Sequence, residues 1–187
     1  MTIIGTPGGS LENADWLPAS QRGQATAGQS GEKRTAAITD SFVRKTGTAV
    51  LHDLRIPIPG YKANIDHVIV SGRDITVIDT KVWEGGFYWT LGGVTRNGFK
   101  KVAHADKRTL PAAVRGITDY LNGQGIKFRI RRSLLVVWSS KPITSFLYRP
   151  AESRFVPGNT FRQTIGGLVG KKAADPSIVQ ALGRLIY

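Results

Sequence analysis

The chain has 187 residues, 41% of them hydrophobic and 21% charged, which is the composition of one globular domain of ordinary size, and no apolar run approaches the roughly 18 residues of a membrane span. It contains no cysteine, which excludes disulfides and thiolate metal sites and fits a reducing, cytoplasmic location. Its formal net charge of +13 at pH 7 favours a polyanionic partner, most often nucleic acid, although a generally basic surface would give the same number.

The N-terminal segment differs in composition from the rest of the chain. Residues 1–30 are rich in Gly, Ser, Pro, Gln and Ala and lack apolar periodicity, which predicts a flexible tail. A single domain is then expected over residues 31–187, with its motif-bearing core at 31–140. The first helix should begin at Ser30 as its N-cap, with Glu32 in the first turn, where a carboxylate suits the helix dipole.

Strands are predicted to follow this helix. "TAVLHDLRIPIPG" favours a strand that the two prolines end, and "DHVIV" and "ITVIDTKVW" are joined by "SGRD", which is typical of a hairpin turn. "FYWTLGG" predicts a fourth strand, and "GGVTRNGFKK" a glycine-rich turn that leads to more sheet or to a basic loop.

The second half of the sequence alternates helix and strand patterns. Helical spacing within residues 104–125 is followed by the apolar run "SLLVVW", by a short strand "SRFVPG" and by two helices, the last with Pro176 at its first position. This order predicts an α/β fold with a mixed central β-sheet flanked by helices.

The hairpin carries three charged residues that are candidates for a functional site: Asp66, Asp79 and Lys81. If its turn is centred between Gly72 and Arg73, opposite residues have numbers that sum to 145, so Asp66 faces Asp79 across the two strands. Lys81 lies on the same face as Asp79 by strand periodicity, and Thr80 points to the other face. A shift of one residue in the turn would separate the two carboxylates.

Two carboxylates beside a lysine in a cationic chain suit phosphodiester chemistry. They can hold Mg²⁺ or Mn²⁺, which prefer oxygen ligands, and Lys81 can position or deprotonate a water or neutralise developing charge. The competing interpretation is a surface salt-bridge group formed by Asp66, Asp79, Lys81 and Arg55. For Asp66 alone, a role at the start of the strand is also open.

Two other patterns are not assigned to catalysis. His67 is next to Asp66, but strand alternation sends its side chain to the opposite face, which favours a core or surface histidine. "GGVTRNG" lacks the residue order of a phosphate-binding loop, so no nucleotide cofactor is predicted.

Basic residues follow the hairpin closely along the chain. Lys100, Lys101, Lys107 and Arg108 are the first candidates for contacts with DNA phosphates, with RNA left open as a partner. Solvated surface positions would explain the same residues. The oligomeric state is not predicted.

These motifs resemble a known family. "GE" at 31–32, "AVLHDLRIPIPGYKANIDHVIV" and "ITVIDTKVWEGG" are similar to the NERD (nuclease-related) domain of the PD-(D/E)XK nuclease-like superfamily. Asp66 followed by Asp79-Thr80-Lys81 matches the D…(D/E)xK signature of that superfamily. The resemblance implies a restriction-endonuclease-like fold and a metal-dependent nuclease, with Glu32 as a third acidic group near the metal.

The sequence departs from the family pattern at two places. Asp79 stands where members commonly have Glu, and the helix after the sheet lacks the usual Gln, for which His104, Asp106 or Lys107 are weak substitutes. The fold also occurs in members that bind without cutting. The sequence therefore predicts a Mg²⁺- or Mn²⁺-dependent deoxyribonuclease, with a non-catalytic DNA-binding or protein-interaction module as the alternative.

Overall fold

The computed structural model describes residues 2–9, 19–102, 105 and 108–187. The described helices are α1 (Ala19–Thr46), α2 (Thr109–Gly123), α3 (Gly158–Val169) and α4 (Pro176–Gly183). The described strands are β1 (Thr2–Ile4), β2 (Ala49–Arg55), β3 (Asn64–Ser71), β4 (Asp74–Val82), β5 (Gly86–Leu91), β6 (Val94–Asn97), β7 (Lys100–Lys101), β8 (Arg129–Ile130), β9 (Ser133–Trp138), β10 (Ile143–Leu147) and β11 (Ser153–Pro157).

The central sheet is mixed. Its strand order is β1-β2-β3-β4-β9-β11, and β8 pairs with the start of β4. Strand β3 is antiparallel to both of its neighbours, β2 and β4. The pairs β1–β2, β4–β9 and β9–β11 are parallel. Strand β4 lies in the middle, where residues 75–80 are all buried.

Helices cover both faces of this sheet. On one face α1 and α3 pack against the strands in an apolar cluster, among them Ile38 and Val43 of α1, Phe161 and Ile165 of α3, and Val50, Ile69, Ile78 and Leu134 of the strands. On the other face α2 and α4 cover a second apolar cluster, among them Leu51, Val68, Val70, Val77, Leu110, Ile117, Leu121, Ile178 and Leu182. Burial on both faces explains why β4 and β9 are apolar without alternation, and the predicted α/β class with a flanked mixed sheet is confirmed.

A second, smaller sheet follows the hairpin. Its order is β10-β5-β6-β7, in which β5, β6 and β7 are antiparallel and β10 is parallel to β5. Tyr88 of β5 is buried and stacks on Trp83, with ring centroids 4.9 Å apart. One face of the small sheet therefore closes over the end of β4.

The N-terminal segment differs from the expectation of a flexible tail. Residues 2–4 pair with β2, and α1 begins at Ala19 rather than after Ser30. Ser30 is therefore inside the helix and is not its N-cap.

No helix in the described part of the chain is both long enough and apolar enough to cross a membrane.

Candidate active site

The hairpin of β3 and β4 has the predicted register. Gly72 adopts a φ of +59° in the turn, a conformation that glycine allows without strain, and the pairs run from Ser71↔Asp74 to His67↔Ile78. All of these pairs have numbers that sum to 145. Asp66 and Asp79 lie next beyond the last pair, where Oδ2 of Asp66 accepts a hydrogen bond from the backbone N–H of Thr80 at 2.6 Å.

Lys81 forms a salt bridge with Asp79, beside Asp66. Its Nζ lies 2.7 Å from Oδ2 of Asp79 and also donates to the carbonyl of Thr80 at 3.1 Å. Asp66 and Asp79 are buried, while about a third of the Lys81 side chain is exposed. The interpretation of Asp66 and Asp79 as a surface salt-bridge pair is therefore wrong.

A small cavity adjoins Asp79 and Lys81. Its volume of about 20 Å³ is enough for one water molecule. Asp79, Lys81 and Ser153 supply polar groups to its wall, and Trp83, Tyr148 and Leu110 are among its apolar neighbours. The charged end of β4 is thus adjacent to a space of the size that a water needs.

Glu32 reaches the same region from α1. The preceding Gly31 lets the helix approach β4 closely, because a Cβ at this position would lie 2.6 Å from Cγ2 of Val82. Glu32 is buried in the middle of α1, so its predicted place in a first helical turn is wrong. Its Oε2 is buried and has no hydrogen-bond partner among the described residues.

Burial and mutual repulsion change the acidity of these carboxyls. Burial, with the charge of Asp66, raises the pKa of Glu32 to about 8. Burial also raises the pKa of Asp66 to about 7, against the attraction of Lys81. For Lys81, burial alone would lower the pKa, but the charges of Asp79 and Asp66 outweigh it and raise the pKa above its ordinary value.

Asp53 is a further acidic residue that sequence reasoning missed. It is buried in β2 with a φ of +55°, and Nδ2 of Asn64 donates to its Oδ1 at 2.5 Å. Its charge contributes to the raised pKa values of Glu32 and Asp66. The signal in the sequence is a carboxylate inside the apolar strand "AVLHDLR".

The donor chemistry of the site suits a divalent cation that keeps water ligands. Carboxylate oxygens are what Mg²⁺ and Mn²⁺ prefer, and Oε2 of Glu32 is a buried acceptor without a donor. Within the described ranges, however, no three His, Cys, Asp or Glu side chains converge closely enough to hold a metal ion. The residues therefore fit a cation held by one or two carboxylates, with water and phosphate completing its shell.

His67 is buried in the core. The sequence predicts that its side chain lies on the face opposite to Asp66, as either a core or a surface histidine. Nδ1 of His67 lies 2.8 Å from Nδ1 of His52 on β2, and Nε2 of His52 lies 2.9 Å from Oδ1 of Asp40 on α1. Burial lowers the pKa of both histidines, so both rings are neutral at pH 7. The three side chains tie β2 and β3 to α1 on the face opposite to Asp66.

The predicted phosphate-contact residues lie in different places. Lys100 and Lys101 form β7 and are exposed on the small sheet. Arg108 is exposed just before α2, next to Thr109, which lines the cavity beside Lys81. Lys107, like His104 and Asp106, lies outside the described residues.

A cleft lined by arginines is a second basic feature of the surface. Its volume is about 410 Å³, and the side chains around it include Arg129, Arg131, Arg132 and Arg154. Asp74 pairs with Arg129 at 2.7 Å and with Arg131 at 3.4 Å. The sequence shows three of these arginines as "RIRR", but Arg154 joins them only through the pairing of β11 with β9.

Comparison with known proteins gives one family. The model of the nuclease-related domain, NERD, matches residues 27–118, close to the region in which the sequence motifs lie. No curated protein and no solved structure matches the chain. The matched segment contains most of α1, the hairpin and the start of α2, and so includes Glu32, Asp66, Asp79 and Lys81. The resemblance seen in the sequence is confirmed, because residues 27–118 match the model of the nuclease-related domain.

Proposed function

We propose that the chain is a deoxyribonuclease that hydrolyses phosphodiester bonds with Mg²⁺ or Mn²⁺ at the end of β4. The observation that carries the proposal is the contact of Lys81 with Asp79 beside buried Asp66 and Glu32, in a chain with a net charge of +13. Four ionisable groups in one mostly buried place are costly unless a ligand or a reaction uses them.

Each side chain has a proposed role. Asp66 and Asp79 would hold the divalent ion, and Glu32 would be an accessory ligand. When bound, the ion would lower the pKa of a coordinated water and offset negative charge on the phosphate. Because the carboxylates raise its pKa, Lys81 stays protonated, so we assign it to stabilising charge on the phosphoryl oxygens rather than to removing a proton.

The basic surface would hold the substrate. Lys100, Lys101, Lys107 and Arg108 remain the proposed phosphate contacts, and Arg132 and Arg154 of the arginine cleft extend this set. Arginine suits this role because its planar guanidinium can donate two parallel hydrogen bonds to a phosphate. The absence of cysteine supports a cytoplasmic setting.

Cleavage of supercoiled plasmid DNA, with Mg²⁺, with Mn²⁺ or with EDTA, tests the proposal. The variants Asp79→Asn and Lys81→Met keep side-chain volume and remove one charge each. We expect metal-dependent nicking by the wild type and a loss of at least about a hundredfold in each variant, as for other groups that stabilise transition-state charge.

Matched controls remove equal charges from exposed positions. Asp119→Asn on α2 and Lys127→Met in the following loop should cleave like the wild type. Nicking that survives in both Asp79→Asn and Lys81→Met would refute the assignment of the site.

A non-catalytic nucleic-acid-binding module is the second candidate. The observation in its favour is that no three potential ligands converge among the described residues. Calorimetric titration with Mn²⁺ separates the two functions: the nuclease requires Mn²⁺ binding that Asp79→Asn weakens. Salt-sensitive DNA binding with neither Mn²⁺ binding nor cleavage would establish the module.

A further inference from the structure

The outer face of the small sheet combines aromatic and basic side chains. Trp89 pairs with Arg96, which in turn pairs with Lys101, so these three residues share one face. Phe87 lies two residues before Trp89 on the same face, and its ring centroid is 5.8 Å from that of Phe146 on β10. Tyr88 points to the opposite, buried side.

The apolar part of this face is exposed. Phe146 is 69% exposed, Leu91 71%, Leu147 43% and Phe87 37%. Single exposed apolar residues are ordinary on proteins, but a contiguous group of them on one sheet face marks a contact surface.

The charge on this sheet has one sign. Residues 86–101 and 143–147 contain no Asp or Glu and carry Arg96, Lys100 and Lys101. The guanidinium of Arg96 lies 5.8 Å from the ring centre of Trp89. Such a surface is complementary to a polyanion that contains aromatic rings, because its cations can pair with negative charges and its side-chain rings can stack on the rings of the ligand.

We propose that this face binds single-stranded nucleic acid by stacking unpaired bases on Phe146, Phe87 and Trp89, with Arg96 and Lys101 contacting the phosphates. The inference rests on the proposed function, for which it names a substrate form with unpaired bases. Every base has a π-face, so such binding tolerates sequence, whereas a duplex hides its bases from the rings.

The position of the sheet supports this substrate form. Strand β5 begins at Gly86, five residues after Lys81, and Tyr88 on its inner side stacks on Trp83, which lines the cavity beside Lys81. The small sheet, which carries this outer face, therefore lies next to the end of β4. This proximity favours nucleic acid over a membrane or a protein as the occupant.

Fluorescence anisotropy with the full chain in EDTA tests the inference without cleavage. The probes are a labelled oligothymidylate of about 12 nucleotides and a duplex of equal length. We expect Phe146→Ala to weaken binding of the oligothymidylate by about five- to a hundredfold and that of the duplex by less than twofold. Phe146→Trp should restore binding, and Tyr61→Ala, at an exposed aromatic residue outside the sheet, should change neither affinity.

A charge variant tests the phosphate contacts separately. Arg96→Gln should reduce the salt dependence of oligothymidylate binding by about 0.7 in the log–log slope, the value for one phosphate contact on a single strand. Thermal unfolding of each variant verifies that the fold is retained.

Other occupants would give other results. Equal loss of single-strand and duplex binding in Phe146→Ala, or no loss of either, would overturn the inference. So would a dimer of the wild type that Phe146→Ala dissociates, or tighter binding to vesicles of anionic phospholipid than to the oligothymidylate. Because no metal is present, failure of plasmid cleavage would count against the proposed nuclease and leave this test valid.

Discussion

Replacement of Glu32 by Gln should make the metal-free protein more stable at neutral pH. The carboxyl of Glu32 has a pKa of about 8 in the folded chain, against 4.5 as its ordinary value. Between pH 4.5 and pH 7 it therefore ionises in the unfolded chain and keeps its proton in the folded one. The folded state then holds more protons, so stability must fall as the pH rises through this range.

The size of this change in stability follows from the pH range over which Glu32 ionises only in the unfolded chain. Each pH unit between 4.5 and 7 changes the free energy of unfolding by about 1.4 kcal/mol, which makes a loss of about 3 kcal/mol by pH 7. Gln has the same shape and does not titrate. The stability advantage of Glu32→Gln should be small near pH 4.5, reach about 3 kcal/mol at pH 7 and level off above pH 8.

Urea unfolding in EDTA at a series of pH values measures this difference. Asp66 titrates in both proteins, so its contribution largely cancels when the two curves are subtracted. Glu84→Gln, the same substitution at an exposed position, is the matched control. A difference between Glu32→Gln and wild type that does not change with pH, or a variant less stable than wild type at pH 7, would refute the electrostatic account of Glu32.

Three further predictions concern the scaffold around the site, each measured as a change in the free energy of unfolding. Gly158→Ala should cost about 1–3 kcal/mol, because the added Cβ would lie 2.3 Å from the buried ring of Trp138; an unchanged unfolding midpoint would contradict this packing. Phe161→Ala should cost about 3–5 kcal/mol, since the ring is fully buried between α3 and the sheet, and a loss below about 1 kcal/mol would mean that the ring is not in the core. Asp175→Ala should cost about 1 kcal/mol at pH 7, because Asp175 caps α4 through the N–H of Ser177. Hydrogen bonds from Ser177 lower the pKa of Asp175 below 3.8, so this contribution is present above pH 3.8 and should vanish as the pH falls below it; persistence at pH 2 would show that the cap is not ionic.

The hairpin was predictable because local chemistry determines it. "SGRD" between two apolar runs specifies a tight turn, and the turn then sets every pair along the two strands, including the positions of Asp66 and Asp79. The same alternation predicted that His67 lies on the face opposite to Asp66. Apolar periodicity likewise located α2, and Pro176 marked the start of α4.

The features that the sequence did not indicate depend on distant contacts. The beginning of α1 lies in a Gly- and Gln-rich stretch with weak helical preference, and the preceding strand β1 is only three residues long and is defined by its pairing with β2. Strand β10 contains polar and apolar residues without clear alternation. Asp53 acts on Glu32 and Asp66 only because its unusual backbone conformation and the fold bring it near them.

The contact between the two histidines has a consequence for the alignment of the strands. A carboxylate only accepts hydrogen bonds, so Nε2 of His52 must donate to Asp40, and neutral His52 then offers a bare Nδ1 to the N–H of His67. The chain of donors thus runs in one direction, from His67 to Asp40, and leaves Nε2 of His67 as a bare acceptor.

Sliding β2 by one residue along β3 would break this chain. His52 would then face Asp66 or Val68 instead of His67, and two buried imidazoles would lose their partners. The hydrogen bond between the two histidines therefore favours one alignment of β2 with β3. Through that alignment it also places Asp53 of β2 next to β3, the strand that carries Asp66, although neither histidine points into the candidate active site.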